Sequence, residues 1–123
     1  MPAHLDTERY VARFAAEISS FTYTVIRQGL YTESYSLYLA FLDLKTPPNE
    51  LIIPYDGKGP EISWVKRDEV GKTTAHLLPD YAQNSTTFPC FNDALFLSGP
   101  REISIGKSVD FINSILEEEI KIL

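Results

Sequence analysis

Four short runs of β-forming residues, separated by stretches of helical period, constrain this chain more than any other feature. The runs are residues 22–27 (TYTVIR), 51–54 (LIIP), 62–65 (ISWV) and 95–97 (LFL). β-Branched and aromatic residues favour a pleated, half-buried surface. Between them lie the helical stretches. Val11, Phe14, Ala15 and Ile18 repeat as one apolar stripe, which predicts a helix over 6–18 with Asp6 or Thr7 as its cap and Ser19-Ser20 at its end. A second helix is predicted over 32–42, burying Tyr35, Tyr38, Leu39 and Leu42 and broken by Thr46-Pro47-Pro48-Asn49. Asp68 is placed to cap a third helix running to about residue 78, with Val70, Leu77 and Leu78 inward and Pro79 marking its end. Ser104 is placed to cap a last helix on which Ile105, Val109, Ile112 and Leu116 recur at spacings of four, three and four. Residues 120–123 read as a further strand, and 81–93 as polar and irregular.

Strands that alternate with helices argue for an α/β fold. Short apolar strands argue for a sheet covered on both faces. The sheet-forming segments are few, so a doubly wound sheet built from them alone has open edges. The 123 residues have room for one domain at most, and they read as a single partial domain, part of a larger fold.

Composition excludes several classes. With 44% hydrophobic and 12% aromatic residues the chain can build a core. A net charge of −6 argues against a nucleic-acid partner and against a basic membrane patch. The apolar runs are too short to span a bilayer, and the opening MPAHLDTERY does not read as a signal peptide. Cys90 is the single cysteine, so no internal disulfide can form. Together these features predict a cytoplasmic protein.

Several tempting motifs fail on their context. Val70-Gly71-Lys72-Thr73-Thr74 suggests a phosphate loop, but the glycine needed five residues before Gly71 is Lys66, and the segment lies inside a predicted helix. No Gly-x-Gly-x-x-Gly occurs, so the usual pyrophosphate cradle is missing. His4, His76 and Cys90 show no metal-ligand spacing, and no metal is expected. No Gly-x-Ser-x-Gly elbow is present for a serine nucleophile.

One stretch remains, residues 21–35 (FTYTVIRQGLYTESY). A strand ending in Gln28-Gly29 brings the backbone close to something, because glycine carries no Cβ. In open α/β sheets ligands bind beyond the carboxyl ends of the strands. Tyr31 and Tyr35 follow, four apart, on one face of the predicted second helix. Two readings stand side by side here: a binding site, or a glycine needed for a turn and tyrosines used as core.

The order of motifs adds a resemblance. His4-x-x-x-Glu8, then residues 23–33 (YTVIRQGLYTE), then 62–69 (ISWVKRDE), then 97–104 (LSGPREIS) resemble, in that order, the NmrA-like atypical short-chain dehydrogenase/reductase family. The nearest branch is that of triphenylmethane reductase and NAD(P)H:quinone oxidoreductases. The similarity covers nearly the whole chain and matches the C-terminal half of that fold. It implies an NAD(P)-binding Rossmann-like fold whose N-terminal glycine-loop half is absent from this sequence. It implies NAD(P)H as cofactor, with Gln28, Gly29, Leu30 and Tyr31 along the nicotinamide and Tyr31 and Tyr35 at the substrate. His4 occupies the place where many relatives carry a lysine associated with proton transfer, and a histidine can serve there as a general acid near neutral pH. Gln28 stands where asparagine is commoner, and no Tyr-x-x-x-Lys pair is present.

The family's fungal members, which residues 42–47 and 54–60 resemble, include reductases of polyketide and mycotoxin pathways of the aflatoxin and sterigmatocystin type. The expectation is therefore an NAD(P)-dependent oxidoreductase of secondary metabolism. Its substrate is a quinone-like or aromatic polyketide small molecule, and its partner a protein or the missing N-terminal half. The alternative is a non-catalytic, dinucleotide-sensing regulatory module or a vestigial fragment. A small α/β domain of unrelated function is a third reading.

Overall fold

In the computed structural model, residues 2–53, 56–84, 86–117 and 119–123 are described. The protein is mixed α/β, with small parallel and mixed sheets. It divides into two compact units, one of Met1–Gln28 with Val70–Leu97, the other of Gly29–Glu69 with Ser98–Leu123.

The first unit holds helix α1 (Pro2–Glu17), strand β1 (Thr24–Gln28), most of helix α3 (Arg67–Gln83) and strand β5 (Asp93–Leu97). β1 and β5 pair in parallel, Thr24 opposite Asp93 and Gln28 opposite Leu97. Parallel neighbours need a long connection between them. The start of β1 is fastened to the turn before β5. Asn92 Oδ1 accepts from Tyr23 N at 3.1 Å, Tyr23 O accepts from Asn92 N at 2.9 Å, and the Thr24 hydroxyl donates to Cys90 O at 2.8 Å.

The first helix departs from its expected start. It opens at Pro2, so Asp6 and Thr7 lie inside it and cap nothing. Proline costs little at a first helical position, where its missing amide hydrogen had no partner to find. The Thr7 hydroxyl instead donates back to Ala3 O at 2.8 Å. Val11, Phe14 and Ala15 are half-buried as the stripe predicts, while Ile18, past the helix end, is exposed. Phe14 meets Phe21 edge to face at 5.0 Å.

Helix α3 overrides its proline. Pro79 lies within it, and the helix continues to Gln83. A proline inside a helix removes one hydrogen bond and crowds the preceding turn. The turn beyond it is held by tertiary contacts: the Tyr81 hydroxyl donates to the Thr22 hydroxyl, and its ring packs edge-on against buried Phe88 at 5.6 Å. Leu77 is half-buried there, whereas Leu78 is exposed, contrary to its expected inward place.

The second unit holds the main apolar cluster. Its strands are β2 (Leu30–Tyr31), β3 (Glu50–Leu51), β4 (Ile62–Val65), β6 (Glu102–Ile103) and β7 (Lys121–Ile122). β4 lies between β2, parallel, and β6, antiparallel; β3 and β7 pair in parallel. The expected strand at 51–54 is thus shorter, and Pro54 lies outside the described residues.

The expected helix over 32–42 is replaced by a 3₁₀ turn (Thr32–Ser34) and one turn of α-helix, α2 (Tyr35–Tyr38). Ala40 and Phe41 adopt left-handed φ values of 52° and 62°, which a helix cannot contain. This reversal carries both Leu39 and Leu42 into the cluster and leaves Phe41 outside.

Helix α4 (Ile105–Leu116) behaves as its sequence predicts. Ser104 Oγ accepts from Lys107 N at 3.2 Å, and Val109 joins Leu39, Leu42, Leu51 and Ile120 in the buried cluster. Ile105, Ile112 and Leu116 pack against it. Asn113 closes the turn into β7, giving its amide hydrogen to Ile120 O and taking one from Ile120 N, both at 3.1 Å.

Candidate functional site

The motif residues are tied together by specific contacts. Glu8 lies on the inward stripe of α1, and its carboxylate takes two hydrogen bonds from Arg27 of β1, at 3.0 Å from Nε and 2.5 Å from Nη2. The fork geometry of guanidinium and carboxylate suits such a pairing. The Arg27 hydrogen bond, more than its charge, holds the Glu8 carboxyl below the ordinary glutamate value of 4.5. A depressed folded-state value stabilises the fold above the unfolded value, and that contribution disappears as pH falls through the folded one. Glu8→Gln is therefore expected to lower the melting temperature at pH 7, with a smaller gap to the native chain at pH 3. Melting curves at the two pH values check this; a gap that stays constant refutes it.

In the second unit, Glu33 reaches a residue 34 positions further along the chain. Both of its carboxylate oxygens accept from Arg67 N, the first residue of α3, at 3.1 Å. A carboxylate at a helix N-terminus satisfies an otherwise orphaned donor and complements the helix dipole. Glu33 is accordingly held below its ordinary value, first by its own backbone amide and then by that of Arg67. The Arg67 guanidinium lies 4.9 Å from the centre of the Tyr31 ring, a cation–π contact. Asp68, expected as the cap, lies within the first helical turn instead.

The predicted site residues separate as follows. His4 is exposed, one turn before Glu8 on α1, and Gln28 ends β1; both belong to the first unit. Gly29, Leu30, Tyr31 and Tyr35 belong to the second. Gly29 has a clear structural role. A Cβ built on it would sit 2.2 Å from the carbonyl oxygen of Ser63, so the glycine lets β2 close onto β4. Leu30 pairs with Trp64 and Tyr31 with Val65. Tyr31 and Tyr35 do not share a helical face, because Tyr31 ends a strand and Tyr35 opens α2.

Tyr35 faces a different environment. It packs against the buried cluster and lines an open cleft of about 350 Å³ in the second unit, together with Thr32, Leu39, Trp64, Ser108 and Phe111. Tyr31 is outside that lining. Trp64 is held by Nε1 donating to Ile103 O at 3.3 Å and by an edge contact with Tyr38 at 5.8 Å. Sequence reasoning missed Trp64, Ser108 and Phe111 as cleft residues. The available signal was the lone tryptophan; nothing local marked the other two.

The rejected phosphate loop is part of helix α3, where Gly71 faces open space. Among the described residues no helix is long and apolar enough to cross a membrane. In comparisons with known proteins, no family model, curated protein or solved structure matches the chain.

Proposed function

We propose that this chain is the substrate-side half of an NmrA-like, NAD(P)H-dependent reductase of a quinone or aromatic polyketide in secondary metabolism. One observation carries the reading: the four motif segments that define the resemblance are joined by side-chain and backbone contacts. Glu8 of the first segment holds Arg27 of the second. Glu33 of the second segment caps the helix opened by Arg67 of the third. The third and fourth are joined twice, by Ser63 Oγ donating to Glu102 at 2.7 Å and by Gly99 N donating to Trp64 O at 2.6 Å. Residues that hold one another in this way form a set, which supports treating the ordered motifs as one signature.

In this reading Tyr35 orients the substrate, and the role of general acid that the resemblance implies falls to His4. Hydride chemistry is the contribution of the nicotinamide when bound. Gln28, Gly29, Leu30 and Tyr31 make no cradle for a dinucleotide by themselves. The open side of Gly29 is filled by Ser63, and Leu30 and Tyr31 are paired with β4. The main grip on the cofactor is assigned to the N-terminal half that the resemblance implies. The same packing favours a second reading, a non-catalytic NmrA-like binding module.

Thermal unfolding with and without saturating NADPH tests whether this chain holds the cofactor, and NADPH oxidation with a quinone present then separates a reductase from a dinucleotide-sensing module. A ligand that binds only the folded state raises the transition by mass action, by about 2.7 kcal/mol at a hundred times its dissociation constant. A raised cooperative transition is the expected result for the reductase reading. An unshifted one leaves a partner-binding or vestigial chain.

A further inference from the structure

We infer that the outer face of α4 pairs with the same face of a second copy of this chain, the two helices antiparallel about a two-fold axis near Phe111. Association of this kind is independent of the catalytic reading.

An apolar stripe marks the face. α4 turns Val109 into the buried cluster, with Ile105, Ile112 and Leu116 packed against it. Phe111 and Ile115 lie outside that packing, 52% and 78% exposed. Four residues apart, they stand one turn apart on the same side of the helix. Exposed apolar side chains are ordinary singly, but neighbouring ones beside an open apolar cleft make a patch of the kind that meets another protein. Ser108 and Phe111 also line the cleft at Tyr35, so a second copy laid on this face covers that side of it.

The polar residues of the face are small and already satisfied. The Ser108 hydroxyl gives its hydrogen to Ser104 O at 3.1 Å, and that of Ser114 to Phe111 O at 2.7 Å. Both hydrogens are spent within the helix, so the face can lose water without orphaning a donor. Antiparallel pairing about Phe111 sets Ile115 of each copy over Ser108 of the other, a large side chain on a small one.

Charge decides the occupant and its direction. Lys107 stands in the first turn of α4, and Glu117 and Glu119 follow its last. All three are exposed, and none makes an ion pair among the described residues. A parallel copy would set Glu117 against Glu117. An antiparallel copy brings Lys107 of each chain to Glu117 of the other, twice by symmetry, with the helix dipoles opposed. A helix of twelve residues is only about 18 Å long, so the contact is small and the dissociation constant is on the order of 10–100 µM.

Sedimentation equilibrium of the full chain from about 5 to 500 µM is expected to show monomer passing into dimer. Ile115→Asp is expected to leave the chain monomeric throughout. Lys107→Glu should weaken the dimer about tenfold, because it places like charges together at two points. The double variant Lys107→Glu/Glu117→Lys reverses each contact and should restore the affinity to within about threefold of native. Both charge variants alter exposed side chains only, so they decide the matter should Ile115→Asp fail to fold. Three results overturn the inference: a native chain monomeric throughout, which leaves the face to a different protein; a dimer that Ile115→Asp does not weaken, which puts association elsewhere; or a double variant no tighter than Lys107→Glu.

Discussion

Gly29→Ala is expected to destabilise the protein by at least about 3 kcal/mol, the upper range for forcing extra volume into a packed site. The added methyl would lie 2.2 Å from the Ser63 carbonyl oxygen and 2.9 Å from its carbon. Both are backbone atoms of β4, so no side-chain rotation can relieve the contact. Relief requires β2 to move off β4, and that breaks the pairing of Leu30 with Trp64 and of Tyr31 with Val65. Gly71→Ala provides the opposite result within the same protein. Gly71 lies inside α3 with nothing near its Cβ position, and alanine there is expected to stabilise by about 0.5–1 kcal/mol through helix propensity. Urea unfolding checks both: the midpoint should fall for Gly29→Ala and rise for Gly71→Ala at unchanged slope. Equal effects of the two would mean that the close approach of β2 to β4 is not what the glycine serves.

Leu39→Ala carries the second large effect, a loss of about 2–5 kcal/mol. Leu39 is fully buried and sits in the cluster with Leu42, Leu51, Val109 and Ile120. Truncation removes transfer free energy and leaves a cavity whose walls, on α4 and two strands, are fixed by their own pairings. Against the roughly 5–15 kcal/mol of a typical small domain, such a loss is a large fraction of the whole. Ile115→Ala on the same α4 should change stability by less than about 0.5 kcal/mol, because that side chain is 78% exposed. The same urea titration decides it. Comparable effects at the two positions would show that the cluster is not where this unit's stability resides.

The candidate site was only partly legible. Tyr35 was visible as a tyrosine just beyond a strand and a glycine. The partners that make its surroundings a cleft come from β4 and α4, about 30 and 75 residues away, and no local pattern announces them. Glu8 and Arg27 stand nineteen residues apart in the sequence, and nothing in that spacing shows that they touch.

Sequence by itself determined the α/β class, strand β4 to the residue, and helix α4 with its serine cap and apolar stripe. These depend on neighbours within a few positions, where periodicity and capping act. Tertiary structure alone decided three matters. It carried α3 past Pro79, because Tyr81 finds Thr22 and Phe88. It cut the second helix to one turn, because the chain reverses at Ala40 and Phe41 to bury Leu39 and Leu42 together. It also gave Gly29 its reason, the Ser63 carbonyl that occupies the space of a side chain. In each case the deciding contact is non-local, whereas a local reading weighs only propensities of about 1–3 kcal/mol.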